Sequence, residues 1–258
     1  MKIGFSTGSI ALGDVWRGVD VAKSGQANAI ELSALREEEL DPLLQSLDAL
    51  QKDLRGFVYI SFHAPSKREK LTESEFIAKL KPVALRGWAI IVHPDVISDF
   101  SLWKGLGAAV CIENMDKRKR VGRTAAQLKR VFEELPEATF CFDIGHAWQV
   151  DPTMQEAESL LKAFGSRLRQ VHMSYVNSWS RHERLNFESV QAYKRVARWL
   201  DRSVPVILET PVEKGDVDAE LQAVLAIFSL PAFERSGNPA KFTRLTQAPQ
   251  ECGQHEKK

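Results

Sequence analysis

The chain has 258 residues, of which 44% are hydrophobic and 27% are charged, as is ordinary for a globular protein. A chain of this length can fold as one domain. The formal net charge of +1 provides no global field that would attract nucleic acid or a membrane, so polyanion binding would need a local patch. No apolar run approaches the roughly 20 residues that span a membrane, and we expect a cytoplasmic protein without a membrane partner.

Eight short apolar runs of strand length recur along the chain. Amphipathic stretches with helical spacing separate them, including 96–106 and 125–135. Eight alternations of strand and helix predict an α/β fold, a single (β/α)8 TIM barrel with a closed parallel sheet. The predicted strands are 2–7, 29–34, 58–63, 89–93, 110–115, 139–143, 168–174 and 205–210.

The barrel domain is predicted to cover residues 1–232. Residues 233–258 form a polar C-terminal tail, rich in Gly, Pro, Gln and Lys and with little periodicity. We expect this tail to be partly disordered or to lie loosely on the barrel. The three cysteines, Cys111, Cys141 and Cys252, are widely spaced and form no CxxC pair, which fits a reducing compartment. We expect Cys111 and Cys141 to fill the core.

Imidazole and carboxylate side chains end six consecutive predicted strands. In such barrels the catalytic groups lie at the carboxyl ends of the strands and point toward the axis. The six ends therefore predict a metal site. Its candidate ligands are His63, His93, Glu113, Asp143, His172 and Glu209.

Mixed nitrogen and oxygen ligands suit Zn²⁺ or Mn²⁺, with Co²⁺, Fe²⁺ or Mg²⁺ as alternatives, and they argue against Ca²⁺. The sequence leaves the number of ions open. One complete shell would consist of Glu113, Asp143, His172 and Glu209, and His63 and His93 could add a second ion bridged by Glu113.

The strand ends HAP, HPD, EN, DxGH, H and ETP resemble those of the xylose isomerase-like barrel superfamily, from Met1 to about Leu230. That superfamily contains sugar isomerases and epimerases and the endonuclease IV type of DNA-repair phosphodiesterase. For the epimerase branch the resemblance implies one divalent ion, with Glu113 and Glu209 also moving protons. For the endonuclease branch it implies three zinc ions, the third held by His146, a further Asp and His182.

The third site is where the chain departs from the endonuclease pattern. That pattern reads D-R-H-E after the seventh strand, whereas this chain reads SRHE, with Ser180 in the place of the Asp ligand. Zinc sites usually take at least three protein ligands, so His146 and His182 alone would hold an ion weakly. We therefore expect His146, Arg181 and His182 to bind substrate hydroxyls or a phosphate.

Three further residues are candidates for substrate binding. Lys117 opens the basic run KRKRVGR, which is either a solvated surface or a phosphate contact. Trp148, like Trp179, either stacks on a sugar or base or closes the barrel mouth. Glu31 either reaches a substrate hydroxyl or forms a salt bridge.

The leading hypothesis is a metal-dependent isomerase or epimerase that acts on a small sugar or sugar phosphate through a metal-stabilised enediolate, with Glu113 and Glu209 as base and acid. The alternative is a multi-zinc phosphodiesterase of the endonuclease IV kind, acting on abasic DNA. A third reading is a barrel that has lost activity and serves as a binding module. A homo-oligomer is compatible with the sequence.

Overall fold

Eight parallel strands close into a barrel in the computed structural model, which describes residues 1–229. The order around the barrel is β1-β10-β7-β6-β5-β4-β3-β2, and each strand pairs in parallel with both neighbours. The predicted α/β TIM barrel is confirmed. The barrel strands are β1 (Ile3–Ser6), β2 (Ala29–Ser33), β3 (Tyr59–His63), β4 (Ala89–Val92), β5 (Val110–Glu113), β6 (Thr139–Asp143), β7 (Leu168–Met173) and β10 (Val206–Leu208).

Helices lie between the strands and pack their apolar faces on the sheet. In α6 (Ala125–Glu134), for example, Leu128, Val131 and Phe132 are buried and lie at helical spacing. The helices are α1 (Thr7–Ile10), α2 (Val15–Ala22), α3 (Glu37–Leu54), α4 (Glu73–Leu85), α5 (Phe100–Trp103), α6 (Ala125–Glu134), α7 (Ile144–Val150), α8 (Gln155–Phe164), α9 (Phe187–Ala197) and α10 (Val217–Phe228).

Two segments differ from the expectation. The helix predicted over 96–106 is broken into short turns around α5. The buried Glu73 carboxylate accepts hydrogen bonds from the main-chain N–H groups of Ser98 and Asp99, which holds the chain before α5 out of a helix. After β7 the chain forms a small antiparallel hairpin of β8 (Tyr175–Val176) and β9 (His182–Glu183), and this hairpin carries one of the candidate site histidines.

The interior beneath the strand ends is apolar on one side of the barrel. Cys111 and Cys141 are both buried there, beside Ala89 and Ile91. They fill the core as expected. Cys252, the boundary predicted at 232 and the tail predicted over 233–258 lie outside the described residues. A search of residues 1–229 for a helix with the length and apolarity needed to cross a bilayer finds none.

Candidate metal centre

Glu113 lies at the centre of the site, in contact with three histidines. It is the last residue of β5 and its side chain is 1% exposed. Its Oε2 atom lies 3.4 Å from His63 Nε2 and 3.1 Å from His93 Nε2, and its Oε1 atom lies 2.9 Å from His172 Nδ1. Three strands thus direct imidazoles onto one carboxylate.

His172 and Glu209 complete this first group of donors. His172 is paired in register with Ile207 of β10, and Glu209 directly follows that strand. The distance from His172 Nδ1 to Glu209 Oε1 is 3.6 Å. One donor atom from each of His63, Glu113, His172 and Glu209 lies within 4.8 Å of all the others, which is a spacing that one ion can bridge.

Asp143, His146 and His182 form a second group under the same 4.8 Å limit. Asp143 Oδ1 accepts a hydrogen bond from His146 N at 2.6 Å and so caps α7, while Oδ2 lies 3.3 Å from His146 Nδ1. Asp143 therefore caps α7 and is at the same time a candidate metal ligand. Ser180, which replaces the expected Asp, donates to and accepts from the Gln149 amide at 3.1 Å and 2.7 Å.

The residues present fit a divalent cation. Among residues 1–229, the buried atoms Glu113 Oε2, Asp143 Oδ2 and Glu209 Oε2 have no hydrogen-bond partner. A buried carboxylate oxygen without a donor is costly unless a cation or water satisfies it. Imidazole nitrogens and carboxylate oxygens are also the donor set that Zn²⁺, Mn²⁺, Fe²⁺ and Co²⁺ accept.

Burial and proximity shift the ionisation of the cluster strongly. Burial alone raises the pKa of the Glu113 carboxyl, but His172, His63 and His93 lower it well below its ordinary value. Burial raises the pKa of Glu209 well above its ordinary value, against the opposing effect of His172 and with reinforcement from Glu113. Burial and the neighbouring His146 lower the pKa of His182 to about 3.

A cavity of about 360 Å³ opens above both groups. Of the residues expected to bind substrate, His146 and His182 line this cavity, and Lys117, Trp148, Arg181 and Glu31 do not. Lys117 and Arg181 are exposed, and Trp148 packs against Tyr175 with ring centroids 5.2 Å apart.

Glu31 is fully buried below the cluster, where its Oε2 atom lies 3.0 Å from His172 Nε2. The salt-bridge reading of this residue, which the sequence left open, matches its position. Trp179 is 75% exposed and has no place in the cavity wall.

Two cationic residues of the cavity wall, Arg118 and Lys119, were not singled out individually from the sequence, although both lie within the basic run that was. Arg118 donates to Asp116 through two guanidinium nitrogens, at 2.9 Å and 2.6 Å. Lys119 Nζ lies 2.6 Å from Asp95 Oδ2. Arg118 is therefore paired with a carboxylate of its own loop, and Lys119 with a carboxylate that follows β4.

The fold and the site define a class: an α/β barrel protein with a buried histidine and carboxylate centre at the carboxyl ends of its strands. The family model described as xylose isomerase-like TIM barrel matches residues 101–228. The expected resemblance is confirmed over the matched residues, and the described residues form the TIM barrel that it implies. Comparison with curated proteins finds no match.

Several solved structures share the fold at low sequence identity. A D-tagatose 3-epimerase-like protein is 17% identical with a TM-score of 0.60, over 88% of this chain and 97% of that one. Endonuclease IV from Thermus thermophilus is 20% identical with a TM-score of 0.58, over 88% and 98%. A xylose isomerase domain protein from Alicyclobacillus acidocaldarius is 13% identical with a TM-score of 0.59, over 87% and 96%. At these identities the likeness concerns the fold alone.

Proposed function

We propose that this protein is a divalent-metal-dependent isomerase or epimerase of a small sugar or sugar phosphate. The cavity is the observation that carries the proposal. Its volume of about 360 Å³ suits a small molecule, and Glu113 and Glu209 both line it. A sugar in this cavity would lie against two carboxylates and the candidate metal ligands at once.

Glu113, His172 and Glu209 would hold the ion, with His63 or Asp143 as a fourth ligand. When bound, the ion would polarise the substrate carbonyl and the adjacent hydroxyl and so acidify the carbon-bound proton. Zn²⁺ and Mn²⁺ are the ions that we expect for this donor set, since both accept nitrogen and oxygen ligands.

The chain's own residues would move the proton. Glu113 is the last residue of β5 and Glu209 follows β10, so their carboxylates enter the cavity from different sides of the barrel. One carboxylate would take the proton from the substrate carbon and the other would return a proton. His146 and His182, in the cavity wall, would orient hydroxyl groups.

A phosphate group, if the substrate carries one, would meet Arg118 and Lys119. These two cations line the cavity, and both already contact carboxylates, so the pocket wall has little net charge of its own there. Binding of a phosphorylated sugar would draw on hydrogen bonds from the Arg118 guanidinium as well as on charge.

A second candidate function is a multi-metal phosphodiesterase that acts on abasic DNA. The observation that favours it is the separate donor group of Asp143, His146 and His182. His63 and His93 also approach the same oxygen of Glu113, an arrangement that suits a carboxylate shared by two ions. Ser180, engaged by Gln149, weighs against a complete third site.

Metal stoichiometry and solvent exchange distinguish these functions. The purified full-length chain would be loaded with Mn²⁺ or Zn²⁺, and the bound ions would be counted by elemental analysis. We expect one ion per chain and deuterium incorporation at carbon when a panel of ketoses and aldoses is incubated in D₂O. Glu113→Gln should abolish exchange, and Glu133→Gln, at an exposed position on α6, should not.

Three ions per chain and nicking of an abasic duplex would instead identify the phosphodiesterase. Absence of exchange across the panel, with metal bound, would refute the isomerase. Absence of bound metal, and of any thermal shift with Mn²⁺ or Zn²⁺, would indicate a binding module.

A further inference from the structure

We propose that Glu31 is a positioning residue that orients His172 so that its Nδ1 atom faces the metal centre. The inference rests on the metal centre of the proposed function. It assigns a role to a residue that touches neither the cavity nor solvent, since Glu31 is 0% exposed and is absent from the cavity wall.

Three donors converge on one oxygen of Glu31. The Oε2 atom lies 3.0 Å from His172 Nε2, 2.6 Å from Gln170 Nε2 and 3.1 Å from Ser61 Oγ. Ser61 is paired with Glu31 in the β2–β3 register, and Gln170 and His172 point from β7 into the same interior. The carboxylate is thus fixed by the neighbouring strand β3 and by β7, which is not adjacent to β2.

This arrangement determines which nitrogen of His172 faces the site. A carboxylate only accepts, so the hydrogens in the contacts of His172 Nε2 with Glu31 Oε2 and of His172 Nδ1 with Glu113 Oε1 both belong to the imidazole. Nδ1 lies on the opposite side of the ring, 2.9 Å from Glu113 Oε1 and 3.6 Å from Glu209 Oε1, and a divalent ion bound there would replace the Nδ1 hydrogen while the Nε2–H bond to Glu31 remained. A carboxylate behind a ligating histidine fixes the ring and makes it a stronger ligand.

A further hydrogen bond holds this support in place. Tyr59 OH donates to Gln170 Oε1 at 2.8 Å, which directs the amide nitrogen of Gln170 at Glu31. The support therefore extends from the metal centre toward the amino-terminal end of β3. Its residues lie on strands rather than on loops, so their geometry is rigid.

Zn²⁺ affinity of the full-length protein tests the proposal, measured by competition with a chelating indicator. Glu31→Gln should weaken Zn²⁺ binding by about 10-fold to 100-fold, the usual effect of losing such a support. Glu31→Asp keeps the charge but moves the carboxylate away from His172 Nε2. Its Zn²⁺ affinity should lie between those of Glu31→Gln and the wild type. Circular dichroism and the melting temperature of chelator-treated protein establish that each variant folds.

Two comparisons separate positioning from a general loss of stability. Glu73→Gln removes another buried carboxylate that accepts three hydrogen bonds, none of them from a residue of the cluster. It should lower the melting temperature and leave Zn²⁺ affinity unchanged. In a His172→Ala background, Glu31→Gln should change Zn²⁺ affinity by less than about 2-fold, because contacting residues are non-additive.

Wild-type Zn²⁺ affinity in folded Glu31→Gln would overturn the inference. It would also be overturned if Glu31→Gln reduced Zn²⁺ affinity equally in the wild-type and the His172→Ala backgrounds. Failure of both Glu31 variants to fold would also overturn it, since the role would then be structural. Weak Zn²⁺ binding by Glu31→Gln, combined with no sugar exchange by the metal-loaded wild type, would refute the isomerase and retain the positioning role. Absence of Zn²⁺ binding by the wild type would refute both the metal-dependent isomerase and the positioning role of Glu31.

Discussion

The Asn114 side chain pairs with the main chain of Asp143 through two hydrogen bonds. Asn114 Nδ2 donates to Asp143 O at 2.8 Å, and Asp143 N donates to Asn114 Oδ1 at 2.9 Å. Strand β5 ends one residue earlier, so the amide extends the β5–β6 pairing past the last strand residue. This pairing fixes the level at which the Asp143 carboxylate leaves the strand.

Asn114→Ala should therefore lower both stability and metal affinity. Loss of two buried hydrogen bonds should reduce the free energy of unfolding by about 1–3 kcal/mol, measured by urea denaturation. Asn28→Ala is a matched control at the other end of the barrel, where Asn28 accepts from Ile3 N and donates to Met1 O. The control should lose stability and keep its Zn²⁺ affinity; an equal loss of affinity in both variants would contradict the role assigned to Asn114.

Glu113→Gln and Glu209→Gln should each slow sugar–solvent proton exchange by at least about 100-fold, because a positioned acid or base contributes this much or more. Mass spectrometry of the sugar after incubation in D₂O measures the effect. Both variants should still unfold cooperatively. Exchange within a few-fold of wild type in either variant would show that its carboxylate does not move the proton.

Gly145→Ala should disturb the start of α7. A Cβ atom at Gly145 would lie 2.6 Å from Ser174 O and 2.7 Å from Val176 Cγ2, too close for either to remain in place. We expect the melting temperature and the Zn²⁺ affinity to fall together, since the neighbouring His146 would move. Gly165→Ala is the control, because nothing lies within 4 Å of a Cβ atom there. A Gly145→Ala protein as stable as this control would contradict the close packing.

Glu37 should make stability depend on pH. Its carboxylate accepts hydrogen bonds from the main-chain N–H groups of Glu69, Lys70 and Leu71, at 2.7, 2.9 and 3.1 Å. Slight burial raises the pKa of Glu37, but these N–H groups outweigh it, and the net pKa lies below the ordinary value. Such a group stabilises the fold above its unfolded pKa of about 4.3 and loses this contribution as the pH falls through the folded value.

Glu37→Gln should therefore lower the free energy of unfolding by about 1–2 kcal/mol near pH 7, and the difference from wild type should shrink as the pH falls below about 4. Urea denaturation at several pH values measures both quantities. Glu38→Gln is the control, because the only close partner of Glu38 among the described residues is Arg36 at 3.8 Å. If the difference in free energy of unfolding between Glu37→Gln and the wild type grew at acidic pH, it would contradict this prediction.

Most of the fold could be predicted from the sequence, since parallel strands buried on both faces leave continuous apolar runs. The run 139–143 coincides with β6, and the other predicted strands differ from the observed bounds by one or two residues at an end. Tertiary contacts overrode the pattern over 96–106, where Glu73 binds the main chain of Ser98 and Asp99. The β8–β9 hairpin is too short to give a periodic signal.

The sequence by itself determined which residue types end the strands, and hence that histidines and carboxylates meet at one end of the barrel. Only the tertiary structure decided how they group. Asp143 groups with His146 and His182, and His63 groups with Glu113. The curvature of the barrel and the directions of the side chains set these distances, and the order of the strands does not determine them. Depth is equally a property of the closed barrel: Glu31, in the middle of β2, lies beneath His172, whereas Glu209, which follows β10, lines the cavity.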